Sequence, residues 1–365
     1  MAENEPFSTR QRHTEMTMTT PSLAAVAVEF PPHRYSQGEC AQALGDFAGP
    51  EFQRFFDASG VVSRHLALPL PRYAQLSGFT EANDTFIEIA LDLGERALLA
   101  ALDAAALKPA DVDVVLSTTV TGLAVPTLEA RLAARIGLRP DVKRVPLFGL
   151  GCVAGAAGVA RMYDYLRSYP DGVAALLAVE LCSLTIQRDD RSVPNFVAAS
   201  LFGDGAAAVI ATGANRRRSG PAAPRVLATR SRLYPDSQDV MGWDIGTSGF
   251  RIKLSVEVAT VVEKYLAEDV HNFLADCGLR PDDVSTYVCH PGGPKVIEAV
   301  ETVLDLPPDA LDRTRTSLRE NGNLSSASVL DVLRATMADP PPPGSFGLMV
   351  AMGPGFCSEL VLLGW

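Results

Sequence analysis

No pair of the six cysteines is spaced C-x-x-C, and neither H-x-x-x-H nor H-E-x-x-H occurs among the five histidines. Those gaps remove the usual signatures of a structural zinc site and of a zinc hydrolase. A chain of 365 residues needs no disulfide framework to fold, so the cysteines read as free thiols of a cytoplasmic protein. Basic clusters are almost missing. Net charge is −11, and the one run, Arg216-Arg217-Arg218, lies in a Ser/Gly/Pro-rich stretch and reads as a solvated loop. Binding along a phosphate backbone needs a cationic face, so no nucleic-acid partner is expected. No apolar run reaches the roughly 20 residues of a membrane span. GVAALLAVELCSL is interrupted by Glu180. Residues 1–20 are polar, lack the apolar core of a secretory signal, and read as a disordered tail.

What is present is an ordinary globular composition, 47% hydrophobic, and a plan used twice. LKPADVDVVLST, from Leu107, resembles LRPDDVSTYVCH, from Leu279, and each follows a long amphipathic helix pattern. Each reads as a helix end, a Pro-initiated turn and a buried strand. SLFGDGAAAVIATG, from Ser200, and GLMVAMGPGFCSELVLLGW, from Gly347, both read as closing hairpins of a sheet. The expectation is an α/β protein of two similar halves, residues 21–213 and 226–365, with helices on both faces of the sheets.

The chemistry-bearing stretch is LFGLGCVAGAAG, where Cys152 stands alone among glycines and alanines. LFGLG reads as a strand running into a tight turn, and a helix follows. A helix that accepts Gly155 and Gly158 is expected to lie against other backbone, since each glycine costs about 1 kcal/mol relative to alanine. Cys152 would then sit at the helix N-terminus, where the dipole and unpaired N–H groups favour a thiolate. The alternative is a small buried hydrophobe, as unpaired cysteines commonly are. Of the histidines, His13 is in the tail, His33 in a turn, His271 on a helix surface, and His65 has no distinctive setting. His290 ends the strand STYVCH before a Gly/Pro loop, where α/β folds expose catalytic groups; a turn cap is the alternative. Asn323, in ENGNLSSAS, precedes a helix. It is either an N-cap or an amide donor to a developing oxyanion. A cysteine, a histidine and an asparagine drawn from two facing halves would suit acyl transfer.

With these pieces in place, the chain resembles the type III polyketide synthases, the chalcone-synthase-like family of thiolase-fold enzymes. GLGCVAGAAG, SLFGDGAAAV, CHPGGPKVIEAVE, NGNLSSASVL and MGPGF occur in the family's order. The resemblance implies a thiolase-like αβαβα fold of two duplicated halves. It implies Cys152 as the nucleophile that carries the acyl chain, and His290 with Asn323 as the pair that binds the malonyl thioester carbonyl. Phe202 and Phe250 match the aromatic gatekeepers beside the malonyl carboxylate. Cys182, Thr185, Ser325 and Met352 fall at positions around the substrate cavity, and Met352 replaces a more usual aromatic. Arg54 and Lys295 fall where coenzyme A phosphates would be met, although Ala58 stands where relatives often carry a basic residue. Val125 occupies the place of a methionine that, in plant enzymes, reaches into the partner subunit.

The implied substrates are acyl-CoA and malonyl-CoA, with no metal or organic cofactor, in a homodimer, with an acyl-carrier protein as an alternative acyl donor. ELCSLTIQRDDRSVPN, from Glu180, is similar to the branch that makes alkylpyrones and alkylresorcinols from medium- or long-chain fatty acyl starters. Thr185 stands where the tetrahydroxynaphthalene-making branch carries a cysteine. The rival readings are a fatty-acid-initiating ketoacyl-carrier-protein synthase, a catalytically silent partner subunit and a thiol hydrolase. HPGG and GPGF favour the polyketide family over the first, and the intact Cys152, His290 and Asn323 argue against the second. No protease signature surrounds Cys152, which disfavours the third.

Overall fold

The computed structural model describes residues 20–48, 52–216, 223–255 and 257–365. Of the tail expected over residues 1–20, residues 1–19 lie outside the described residues, as do Arg217 and Arg218 of the basic run, and Thr20 is buried at the start of the fold.

The first half opens with β1 (Ser22–Glu29) and a hairpin of β2 (His33–Ser36) and β3 (Ser63–Leu66), which brackets the helices α1 (Gln37–Ala48) and α2 (Gln53–Ala58). His33 is therefore in a strand, not a turn. After α3 (Leu70–Tyr73) and α4 (Phe79–Ala104) come β4 (Val114–Thr119), α5 (Leu128–Ile136), β5 (Lys143–Phe148), α6 (Ala154–Ser168), β6 (Val173–Leu181), α7 (Val193–Leu201) and β7 (Asp204–Thr212). The second half runs β8 (Arg225–Leu233), a hairpin of β9 (Met241–Gly246) and β10 (Gly249–Leu254), α8 (Val258–Asp276), β11 (Val284–Cys289), α9 (Pro294–Val303), α10 (Asp312–Asn321), α11 (Ser328–Ala338), β12 (Phe346–Gly353) and β13 (Cys357–Gly364).

The repeat seen in the sequence is a repeat of topology. The strand order is β11-β12-β13-β8-β1-β7-β6-β4-β5. Read outward from the centre, β1-β7-β6-β4 has the same pairing senses as β8-β13-β12-β11: antiparallel, antiparallel, parallel. The L-x-P-x-D-V motifs form matching 3-10 turns, Pro109–Asp111 and Pro281–Asp283. In each, the aspartate accepts the backbone N–H three residues before it. The two sheets are joined at the rung where Ser22 faces Arg225. β12 and β13 form the hairpin expected at the C-terminus. β7 does not: it returns antiparallel to β6 only after α7, because residues 193–201 of the intervening segment are helical.

Burial follows the strand period of two. Leu116, Leu176 and Val209 of the first sheet and Met349, Ala351 and Val361 of the second pack on α6 and α11 in one central core. Val115, Leu177 and Ala208 face α4 and α5, and Leu348, Val350 and Leu362 face α8 and α9. The layers are therefore helix, sheet, helix pair, sheet, helix, as the αβαβα expectation requires. Among the described residues, no helix is long and apolar enough to cross a membrane.

Candidate active site

The central helices enter through the same local device. β5 ends at Phe148. Gly149 and Gly151 then take φ of 91° and 56°, and the 3-10 turn Gly151–Val153 leads into α6. A Cβ on Gly151 would lie 2.7 Å from Pro354 Cδ, so both the left-handed backbone and the space demand glycine. In the second half the turn Ser325–Ala327 leads into α11, and Ser325 takes φ 49° although it has a side chain. Cys152 and Ser326 are thus equivalent, each second in its turn, and only the first half places a strong nucleophile there. Gly155 lets the helices meet: a Cβ on it would fall 2.3 Å from the Ser326 carbonyl oxygen. This is the close backbone approach that the glycines of α6 imply.

Cys152 is buried, and its Sγ–H donates to Ser325 Oγ at 3.7 Å. The Ser325 N–H donates in turn to Asn323 Oδ1 at 2.8 Å, and the Ser328 hydroxyl donates to the same oxygen at 3.4 Å. Asn323 therefore closes a side-chain turn onto Ser325 but is not the N-cap that one reading expected: Leu324 precedes the 3-10 turn and Ala327 precedes α11. The turn occupies only its oxygen, which leaves the –NH2 group as a donor. Asn323 also pairs with the residue expected as gatekeeper. Its N–H donates to Leu201 O (2.8 Å), Gly203 N–H donates to Asn323 O (3.0 Å), and Phe202 lies opposite Asn323 in a parallel bridge. The crossing is tight, since a Cβ on Gly203 would come within 2.2 Å of Asn321 O.

His290 lies one residue beyond β11, with its backbone N–H donating to Val350 O of β12 at 2.9 Å. Three residues further along β12, about 10 Å at the usual strand rise, Gly353 abuts the backbone of Val153: a Cβ there would lie 2.8 Å from Val153 N. His290 and Cys152 thus flank the C-terminal end of the same strand. Both His290 ring nitrogens are buried without a hydrogen-bond partner. Buried polar atoms are normally paired, so an imidazole held in this state is equipped for a group that arrives later.

Burial decides the charge states. It pushes the Cys152 thiol up to about 12, against the lowering effect of Ser325 and aided by the Glu180 carboxylate. The expectation of a thiolate stabilised by the helix N-terminus is therefore overturned for the free protein: loss of hydration outweighs the dipole. Burial likewise drives His290 down to about 3, so the ring is neutral near pH 7. Because the unfolded histidine titrates near 6.5, the unfolded chain binds more protons than the folded one between about pH 6.5 and 3. His290 must then cost stability as the pH falls through that window. Asp204, raised to about 6 by burial, acts in the opposite sense between about 3.8 and 6. His290→Gln is expected to lose less melting temperature than the parent between pH 7 and pH 4, measured by thermal scans. An identical acid response in the two proteins would contradict this.

The remaining candidates divide. Thr185 and Cys182 occupy one buried turn after β6, where the Thr185 hydroxyl donates to Cys182 O at 2.7 Å. Phe250, on β10, meets Phe79 and Trp243 edge-on. Gln187 ties these groups together, its amide donating to Thr185 O (3.1 Å) and Phe250 O (3.0 Å). Met352 instead packs with Val350 and Cys289 in the outer core of the second half, so the structure does not join it to the Cys152–Ser325–Asn323 chain. Arg54 and Lys295 are exposed. Arg54 is on α2 and Lys295 at the start of α9, and these elements adjoin where a Cβ on Gly60 would touch Pro294 at 3.2 Å.

Sequence reasoning missed the buried Glu180, which accepts from Val120 N–H at 3.1 Å and from the hydroxyls of Thr121 and Ser326. It also missed Arg64 and Gln37. The signal for Arg64 was the alternation in Ser-Arg-His-Leu, which puts an arginine on the same face as Leu66.

Two family models match the chain: Chalcone and stilbene synthases, N-terminal domain, over residues 54–215, and the C-terminal domain over residues 225–364. The chain belongs to this family, the type III polyketide synthases. It is 51% identical to a 1,3,6,8-tetrahydroxynaphthalene synthase of Streptomyces peucetius, covering 99% of this chain and 97% of that one. It is 29% identical to a phloroglucinol synthase of Pseudomonas fluorescens, over 94% and 99% of the two chains. Among solved structures, it is similar to the tetrahydroxynaphthalene synthase of Streptomyces coelicolor, a bacterial type III polyketide synthase. That match has a TM-score of 0.89 at 30% identity, covering 94% of this chain and 99% of that one. Like its relatives, this type III polyketide synthase is an acyl-transferring, condensing enzyme.

Proposed function

We propose that the enzyme carries its growing chain on Cys152, extends it with malonyl-CoA by decarboxylative condensation, and closes it to a polyhydroxylated aromatic ring. The observation that carries this reading is the buried His290 with both ring nitrogens unpartnered, across the tip of β12 from Cys152. A neutral imidazole accepts the Cys152 proton as the sulfur attacks an acyl thioester. It returns that proton to the departing coenzyme A thiolate, leaving an acyl thioester on Cys152. Malonyl-CoA then loses CO2, and the electrons of the broken C–C bond form a thioester enolate. The enolate oxygen accepts hydrogen bonds from a His290 N–H and the Asn323 –NH2. The enolate carbon attacks the acyl–Cys152 carbonyl and expels the Cys152 thiolate, giving a chain two carbons longer on coenzyme A. Phe202 places apolar surface against the carboxylate that leaves. Arg54 and Lys295 offer cations to the coenzyme A phosphates. These steps draw on no group beyond the substrate thioesters.

The similarity to relatives named for tetrahydroxynaphthalene and phloroglucinol supports this product class. A second reading, a medium- or long-chain fatty acyl starter closed to an alkylpyrone or alkylresorcinol, is favoured by Thr185. Its hydroxyl is spent on the Cys182 carbonyl oxygen, which leaves its methyl group in place of a cysteine sulfur. Exposed apolar side chains near the first sheet's edge, Val125 (94% exposed), Leu123, Val145 and Phe148, suit burial in a homodimer. Product analysis separates the two chemistries. Malonyl-CoA alone giving an aromatic product, unchanged by acyl-CoAs of graded length, supports the first reading. Incorporation of the added acyl chain supports the second.

A further inference from the structure

The elements that carry Phe202 and Asn323 hang on one buried cation. A helix leaves its last carbonyls without intrahelical donors, and at the end of α7 Arg64, Gln37 and the Asn323 backbone supply most of them. Ala198 O accepts from Phe202 N–H at 3.0 Å, and Leu201 O accepts from Asn323 N–H at 2.8 Å. Ala199 O and Phe202 O both accept from Arg64 Nη1, each at 2.7 Å. Ser200 O accepts from Gln37 Nε2 at 2.7 Å, and Gln37 Oε1 accepts from Arg64 Nη2 at 2.7 Å. The guanidinium is fully buried, lies over the Phe56 ring and leaves its Nε without a partner. A buried charge of this kind is expensive, and the neighbouring Cys40 and the buried Asp204 carboxylate offset part of that cost. What this arrangement adds is rigidity at one place, the Leu201–Gly203 segment that pairs with Asn323.

We propose that Arg64, seconded by Gln37, is a positioning residue for malonyl decarboxylation: it fixes the Phe202 backbone and, through the Phe202–Asn323 bridge, holds the Asn323 amide where the enolate oxygen forms. This rests on the roles given above to Phe202 and Asn323. Cys152 stands on the turn before α6, held by the backbone of the first half, and meets Asn323 only through Ser325, whose hydroxyl lies 3.7 Å from its Sγ, so its attack on a starter thioester should depend less on that bridge. A displacement of the order of an ångström at a reacting geometry costs about 100-fold, so the two half-reactions should respond differently.

The test compares Arg64→Lys, Gln37→Met and Asn323→Ala with the parent. Acylation of Cys152 by a non-extendable acyl-CoA is followed by intact-protein mass, and CO2 release from malonyl-CoA is followed separately. Arg64→Lys is expected to lower CO2 release about 10- to 100-fold while acylation stays within about twofold of the parent; Gln37→Met should show the same split at smaller size. Equal loss of both half-reactions, in step with thermal stability, overturns the inference, because it marks a purely structural cation. Unchanged CO2 release in Arg64→Lys overturns it as well. If Asn323→Ala itself releases CO2 at the parent rate, the assignment of Asn323 fails first and the inference falls with it.

Discussion

Cys152→Ala is expected to abolish chain extension, by roughly 10^4-fold or more, while malonyl-CoA is still converted to acetyl-CoA and CO2. The two functions separate because they stand on different elements. The thiol that must hold the chain is on the turn before α6. The groups assigned to the enolate come from the end of β11 and from the segment between α10 and α11. Alanine removes the atom proposed to form the acyl thioester, and leaves the Ser325 N–H to Asn323 Oδ1 bond in place. The fold should hold, since removing a buried sulfur in contact with one hydroxyl costs about 1–2 kcal/mol at most. The measurement is paired: product by mass spectrometry and CO2 release from carboxyl-labelled malonyl-CoA. Loss of CO2 release in parallel with product would show that decarboxylation needs the thiol and would contradict the division of labour.

The second large effect is the complement of the first. Asn323→Ala is expected to reduce malonyl decarboxylation by about 10^2- to 10^3-fold, the usual cost of one oxyanion donor, while Cys152 is still acylated by a starter thioester. A price in stability accompanies it, because Asn323 Oδ1 accepts the buried Ser325 N–H and leaving such a donor unpaired costs about 1–3 kcal/mol. Asn323→Asp tests the donor. It keeps an oxygen acceptor for the Ser325 N–H and removes the donor, so CO2 release should stay low, while the buried carboxylate prevents recovery of the melting temperature. CO2 release at the parent rate would assign Asn323 to structure alone.

The charge states give these predictions their shape. With the thiol pushed up to about 12 and the imidazole down to about 3, the resting pair is neutral on both sides. On the proposed mechanism, the proton is therefore expected to cross only when a thioester is in place to take the sulfur's electrons. The helix N-terminus, which from sequence argues for a standing thiolate, is outweighed by the complete burial of Cys152.

How much of this was legible follows the range over which each interaction acts. The Pro-initiated turns, the strands after them and the N-terminal position of Cys152 are set by neighbours in sequence, and they stand as the residue pattern implies. The close packing of α6 was legible as well, because Gly155 and Gly158 have no other use in a helix. The setting of Asn323 was half visible: its turn onto Ser325 is local, but the Phe202 bridge joins residues 121 positions apart. Arg64 and Gln37 were invisible as site residues, since their partners lie at the end of α7, 135 to 163 positions away. Met352 was placed by motif position alone, and strand alternation turns it toward the outer core with Val350.

The account depends most on Cys152 being the atom that carries the chain. Rapid quenching of the enzyme with its thioester substrates, followed by proteolysis and mass spectrometry, reads this directly. The account predicts an acyl group on the peptide containing Cys152, growing by two-carbon units and absent from Cys152→Ala. Polyketide formation with no acyl group on that peptide, or with one on Cys182 or Cys289 instead, would contradict it.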